Sequence, residues 1–241
     1  MVPEEATTKD SQPQQYGNSI GVLDYVFRQQ ASTIKPRTVV DFGAGGGKKG
    51  RLLREVLGKS ARLIAIEGCA ATAQMLRGQD VYDEVHCELL QTWILGAAER
   101  YDLATFGDVL EHLTPREVHR VIRQAQRQFS EIILTVPLGD VTQGEIYGNP
   151  LEVHRTCITG GFFDRYKPVE KHIAVGESWT IMNVRIAHRH SIFALRHRAV
   201  RWLLRTALRV LQWVGLEGIL AGIVRKHCTR YHWVLRNLYS E

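Results

Sequence analysis

Short, almost wholly apolar runs alternate along this chain with stretches whose apolar residues recur every three or four positions. The runs lie at 39–41, in "ARLIAIEG", in "EVHCELL", at the start of "YDLATFGDVLEHL" and in "EIILTVP". Runs this short, closed by an acid, glycine or proline, are expected of strands, and "LIAI" has the two apolar faces of a buried parallel one. Between the runs, Ile20, Leu23, Val26 and Phe27 predict a helix over 18–34 that covers the sheet edge and ends before Pro36. Leu52, Leu53, Val56 and Leu57 predict a second helix, stopped at Gly58, and Val118, Val121, Ile122 and Ala125 a third. The third opens at Thr114-Pro115 with Glu117 three residues beyond the threonine, the spacing of a capping box. "VEKHIAV" and "WTIMNVRIA", separated by Gly176-Glu177-Ser178, read as two strands joined by a short turn. Residues 138–154, "LGDVTQGEIYGNPLEVH", are too polar and too rich in glycine and proline for a core element and predict a loop at the substrate end of the sheet. Residues 1–17 hold almost nothing apolar and predict a mobile arm.

Composition narrows the picture. A chain of 241 residues with 44% apolar content has room for one α/β domain and an appendage. Cys69, Cys87, Cys157 and Cys228 are scattered with no C-x-x-C, so neither a disulfide framework nor a zinc site is suggested, and no metal ligand is assigned. The polar, acidic start lacks the basic-then-apolar profile of a secretory signal, and a cytoplasmic location is expected. The net charge of +6 hides an asymmetry: residues 188–241 hold ten Lys and Arg against two acids, and residues 1–187 hold 21 bases against 23 acids. Partner-seeking basic character therefore sits in the tail.

The stretch "VVDFGAGGGKKGRLL" combines a strand, a glycine-dense turn and a helix start. Backbone N–H groups at such a helix start point into the crevice at the strand's end and cradle a nucleotide-like ligand. The spacing excludes two alternatives. A dinucleotide fingerprint beginning at Gly43 needs glycine where Lys48 stands, and a phosphate loop ending in Gly47-Lys48 needs glycine at Phe42 and a hydroxyl at Lys49. Glu67, some twenty residues on at the end of the next run, is placed to accept hydrogen bonds from both hydroxyls of a ribose. "YDLATFGDVLEHL" supplies the third signal, with Asp108, Glu111 and His112 after an apolar run.

Together these segments resemble the motifs of the class I S-adenosylmethionine (SAM) dependent methyltransferase superfamily. The resemblance implies a Rossmann-like three-layer αβα fold, a seven-stranded mostly parallel sheet ending in an antiparallel hairpin, over 18–187. It implies SAM as cofactor, held by Asp41, Gly43, Ala44, Gly45, Gly47, Glu67, Gly68, Glu88, Asp108 and Val109. Methyl transfer to an oxygen, with a nitrogen as the second choice, needs a proton acceptor where the acceptor is not already a good nucleophile, for which His154 and His112 are the candidates, with Asp108 beside them. If 152–154 is extended, Glu152 shares a side with His154 and orients it. The loop "GNPLEVHR" loosely resembles loops of bacterial enzymes acting on surface glycans or lipid-linked intermediates, so a small-molecule, glycan or lipid-linked acceptor, as in polysaccharide biosynthesis, is expected. RNA or DNA methylation is the alternative, opposed by "GDVL" where an N-P-P-Y type motif would stand. A membrane- or partner-binding module with lost chemistry is the reading from another class.

In the tail, 188–241, a helical wheel puts Arg198, Arg201, Arg205 and Arg209 within an arc of about 80°. Val200, Leu203, Leu204, Leu211 and Val214 fill the opposite side, with Trp202 and Trp213 near the basic edge. This is a basic amphipathic helix of the kind that lies in an anionic bilayer interface, here the cytoplasmic leaflet. The same face also suits packing on the catalytic domain, a homodimer contact or nucleic acid. The longest apolar stretch, 210–224, is 15 residues and contains Gln212 and Glu217, short of the ~20 that span a bilayer.

Overall fold

The computed structural model describes residues 21–187 apart from Ala98 and Tyr147. The expected mobile arm, residues 18–20 of the first helix and the basic tail lie outside the described residues. Seven strands form one sheet: β1 (Thr38–Phe42), β2 (Arg62–Glu67), β3 (Glu84–Cys87), β4 (Tyr101–Gly107), β5 (Phe129–Pro137), β6 (Glu170–Val175) and β7 (Thr180–Ala187). Their order is β3-β2-β1-β4-β5-β7-β6, parallel through β5, with β7 antiparallel to both β5 and β6. The chain runs outward from β1 to β3 and returns to β4 on the other side of β1. That reversal opens a crevice beyond the carboxyl ends of β1 and β4.

Alternation along the strands sorts their side chains onto two faces. Val39, Leu63, Leu103 and Ile133 meet Phe27 and Ala31 of α1 (Asp24–Ile34) and Leu52 and Leu53 of α2 (Lys48–Leu57). Their neighbours Val40, Ile64, Ala104, Ile132 and Leu134 point the other way. There they meet Leu90 and Ile94 of α4 (Leu90–Gly96) and Val118, Val121, Ile122 and Ala125 of α5 (Pro115–Gln128). A further helix, α3 (Ala70–Arg77), packs Leu76 against Ala65 of β2. Each fully buried Leu, Ile or Phe contributes about 1.5–3 kcal/mol, so the two helical layers are held mainly by this sorting. Phe42 sits at its centre, stacked on Phe106 at 4.7 Å between ring centres.

Three expectations shift in detail. The first helix is a 3-10 turn (Gly21–Leu23) followed by α1, which packs on a face of the sheet through Phe27 and Ala31, while the turn contacts edge strand β6 and Gln30 donates to Glu170 of that strand at 3.0 Å. The strand expected through "EVHCELL" ends at Cys87, because Leu90 belongs to the apolar stripe of α4. The short helices α3 and α4 had no periodic signal long enough to single them out. The capping box at α5 is present as expected: Glu117 accepts from the Thr114 N–H at 2.8 Å, and the Thr114 hydroxyl accepts from the Glu117 N–H at 3.4 Å.

Candidate active site

The turn after β1 is built from backbone that other residues resist. Gly43, Gly45 and Gly47 all lie in the left-handed region, at φ 67°, 49° and 79°. At Gly43 a second constraint applies, since a Cβ there would stand 2.3 Å from Cγ2 of Val109. The turn can therefore pass close to the end of β4 only with glycine in that place. Beneath it, the buried Asp41 carboxylate accepts from the Tyr82 and Thr105 hydroxyls, each at 2.6 Å. Burial raises the Asp41 pKa, and those two hydroxyls and Lys49 work in the other direction. Burial also holds the Tyr82 hydroxyl protonated, reinforced by the Asp41 charge.

Beyond the crevice floor opens a cleft of about 510 Å³. Glu67 lines it from the end of β2, nearly buried, with Oε2 accepting the Gly45 N–H at 2.9 Å and Oε1 accepting the Cys69 N–H at 2.8 Å. Each carboxylate oxygen has two acceptor positions, so Glu67 both ties the glycine turn to β2 and keeps capacity for donors from the cleft. Burial raises its pKa, against the lowering effect of the backbone N–H groups of Cys69 and Gly45.

The turn after β4 and loop 138–154 also wall the cleft. Asp108 leaves β4 at φ 50°, and a 3-10 turn (Leu110–His112) follows it. The loop is fastened to that turn by the Arg155 and Thr156 N–H groups, which donate to the Glu111 carbonyl at 2.8 and 3.1 Å. This fastening brings His154 beside His112, ring centres 4.9 Å apart. A carbonyl can only accept, so the 2.6 Å contact between His154 Nδ1 and the Val141 carbonyl places a hydrogen on Nδ1, and the neutral tautomer it selects has its lone pair on Nε2. His112 is held down to about 4 by burial and by His154, and is neutral at pH 7. Glu111 is 2% exposed, with Oε2 lacking a hydrogen-bond partner. Burial, and then the charges of Asp108 and Glu152, push its carboxyl well above the usual range.

The residues expected from sequence divide accordingly. Gly43, Ala44, Gly45, Glu67, Gly68, Asp108, Val109, His112 and His154 line one cleft. Asp41 and Gly47 stand behind it as supports of the turn. Glu88 does not line the cleft; its N–H donates to the Glu67 carbonyl at 3.0 Å, and Leu89, Leu90 and Gln91 take the lining position. Tyr82 and Trp179 were not singled out, and Glu111, named within the third motif, was given no role. Trp179 follows the expected hairpin turn, and its place at the carboxyl end of β5 is the signal that could have found it. Tyr82 and Thr105 reach Asp41 only through the fold, across 41 and 64 residues of sequence.

No protein-family model and no curated protein matches the chain. Solved structures do resemble it. The N-terminal domain of EvdMO1 with SAH bound aligns over 71% of this chain and 83% of its own, at 13% identity and a TM-score of 0.54. TehB from Haemophilus influenzae aligns over 68% of this chain and 62% of its own, at 12% identity and a TM-score of 0.54. The plantazolicin methyltransferase BpumL, in complex with a monoazolic desmethylPZN analog and SAH, aligns over 70% of this chain and 86% of its own, at 11% identity and a TM-score of 0.52. With five parallel strands turned by an antiparallel hairpin, helices on both faces and a glycine turn at the strand-order reversal, this chain has the Rossmann-like fold of the class I SAM-dependent methyltransferase superfamily.

Proposed function

We propose that the chain is a SAM-dependent methyltransferase acting on an oxygen of a small-molecule, glycan or lipid-linked acceptor. The observation that carries the reading is the meeting of Glu67, the left-handed glycine turn and the Asp108–His112 turn around one cleft. Glu67 offers acceptor capacity for the ribose hydroxyls, and Gly43, Ala44, Gly45, Gly68 and Val109 shape the surrounding wall. Solved structures with this fold have SAH, the demethylated product of SAM, bound or present, which supports the cofactor. One was obtained in the presence of D-fucose and another in complex with a monoazolic desmethylPZN analog, which supports a small-molecule acceptor.

SAM brings the electrophilic methyl group, so the protein has to supply proximity, orientation and an acceptor in reactive form. An alcohol is a weak nucleophile until its proton leaves. His112 and His154, half-buried side chains that line the same cleft as Glu67, are the groups proposed to act on it, and the neutral tautomer of His154 with hydrogen on Nδ1 leaves Nε2 able to take that proton. The direct test is transfer of labelled methyl from SAM into small-molecule, glycan, lipid and nucleic-acid fractions of a host extract. Label in a non-nucleic-acid fraction is expected; label confined to RNA or DNA would replace this acceptor class with the alternative one.

A further inference from the structure

We propose that Glu111, His112 and His154 hold a divalent first-row transition ion at the acceptor end of the cleft. One ligand atom from each lies within 4.8 Å of those of the other two, and all three side chains line the cleft. Metal-ligand bonds of about 2.1 Å gather cis donors to about 3–3.5 Å, so movements of under about 1 Å per side chain close the set. The Glu111 Oε2 is buried and unpartnered, an arrangement that costs stability unless something in the cleft engages it. His154 is prepared in the way metal-bound histidines are, with Nδ1–H donating to a backbone carbonyl and Nε2 carrying the lone pair. Two imidazoles with a carboxylate suit Mn²⁺, Co²⁺ or Zn²⁺ better than the all-oxygen preference of Mg²⁺ or Ca²⁺.

The ion's role rests on the methyl-transfer reading, whereas its binding rests on the side chains alone. An ion here binds the acceptor hydroxyl and lowers its pKa, so the O–H bond breaks with release of the proton to solvent. The alkoxide then displaces the SAM methyl: the S–CH₃ bond breaks, the O–CH₃ bond forms, and methyl ether and S-adenosylhomocysteine result. His154 acts as a ligand in this scheme, in place of the direct proton acceptor expected from sequence.

The test is Co²⁺ titration of the metal-stripped full-length protein, followed by visible d–d absorption, with calorimetric S-adenosylhomocysteine binding measured on the same samples. One equivalent should bind, with Mn²⁺ and Zn²⁺ competing. Glu111→Gln and His154→Ala should each weaken Co²⁺ by at least about 100-fold, the upper end of the loss seen when only an outer partner of a ligand is removed. Both variants should still unfold in one cooperative transition and keep the wild-type nucleoside affinity. Absence of stoichiometric Co²⁺, Mn²⁺ and Zn²⁺ binding overturns the proposal, as does Co²⁺ absorption that persists in both variants. Co²⁺ binding without S-adenosylhomocysteine binding supports the ion site while removing the methyl-transfer reading, so the two fail separately.

Discussion

Gly43 shows how much one missing side chain decides. A Cβ there would combine a left-handed backbone with a 2.3 Å approach to Val109. The backbone term costs about 1–2 kcal/mol and overpacking about 1–3 kcal/mol more. Gly43→Ala should therefore lower unfolding stability in urea by about 2 kcal/mol or more, and adding Val109→Ala should recover only part of the steric cost, because the Val109 Cβ stays 2.8 Å away. Full recovery in the double variant would show that the backbone conformation carries no cost. The neighbouring residues divide their roles in a way sequence could not show. Asp41 and Glu67 both end strands and both are acids, yet Asp41 is consumed by Tyr82 and Thr105 beneath the turn while Glu67 faces the cleft. Which of two strand-end acids meets a ligand depends on hydroxyls brought in from distant parts of the chain.

Elements report on local signals, and their strength sets how legible each one is. The helix α5 was readable to its first residue because a capping box and a four-residue apolar stripe agree. Thr114→Ala removes one half of that box and should destabilise the protein by about 1 kcal/mol, measured as a lowered urea midpoint at unchanged slope. The hairpin β6–β7 was also legible, from its alternation and turn, but the charges that fix it were not. Arg185, 1% exposed on β7, bonds Glu131 at 3.1 Å and Glu170 at 2.9 Å. The two acids respond in opposite directions. Burial dominates at Glu131 and raises it, whereas at Glu170 burial is outweighed by His172, Arg185 and Gln30, which hold the carboxyl down to about 2. A carboxyl lowered on folding stabilises the protein above its ordinary 4.5, and that contribution is lost as pH falls toward 2. Wild type should thus lose more stability across this window than Glu170→Gln does; parallel urea-midpoint curves would show that Glu170 is not the group responsible.

For the whole molecule, the order of elements made the fold legible and long-range contacts hid the rest. Alternating strand and helix signals marked the strands, the motif resemblance implied one seven-stranded sheet, and among the described residues that sheet is present. Most of the expected cleft residues converge because they sit at strand ends, which the topology brings together. The Glu111–His112–His154 cluster was not legible, since it depends on loop 138–154 folding back through Arg155 and Thr156. The tail lies outside the described residues, and its arginine stripe remains a proposal for docking on an anionic leaflet. Each arginine near such a surface contributes about 1 kcal/mol. The full chain should sediment with anionic but not neutral vesicles, and a chain ending near His190 with neither. Equal sedimentation of the two would leave the tail as a packing or dimerisation element.

Titration calorimetry of SAM and S-adenosylhomocysteine into the folded full-length protein asks whether this cleft holds the nucleoside through Glu67. Losing a hydrogen-bond partner of buried ribose hydroxyls costs about 1–3 kcal/mol. Saturable one-site binding of both nucleosides to wild type is therefore predicted, weakened about ten- to a hundred-fold in Glu67→Ala. Absence of binding to folded wild type, or undiminished affinity in Glu67→Ala, would contradict it.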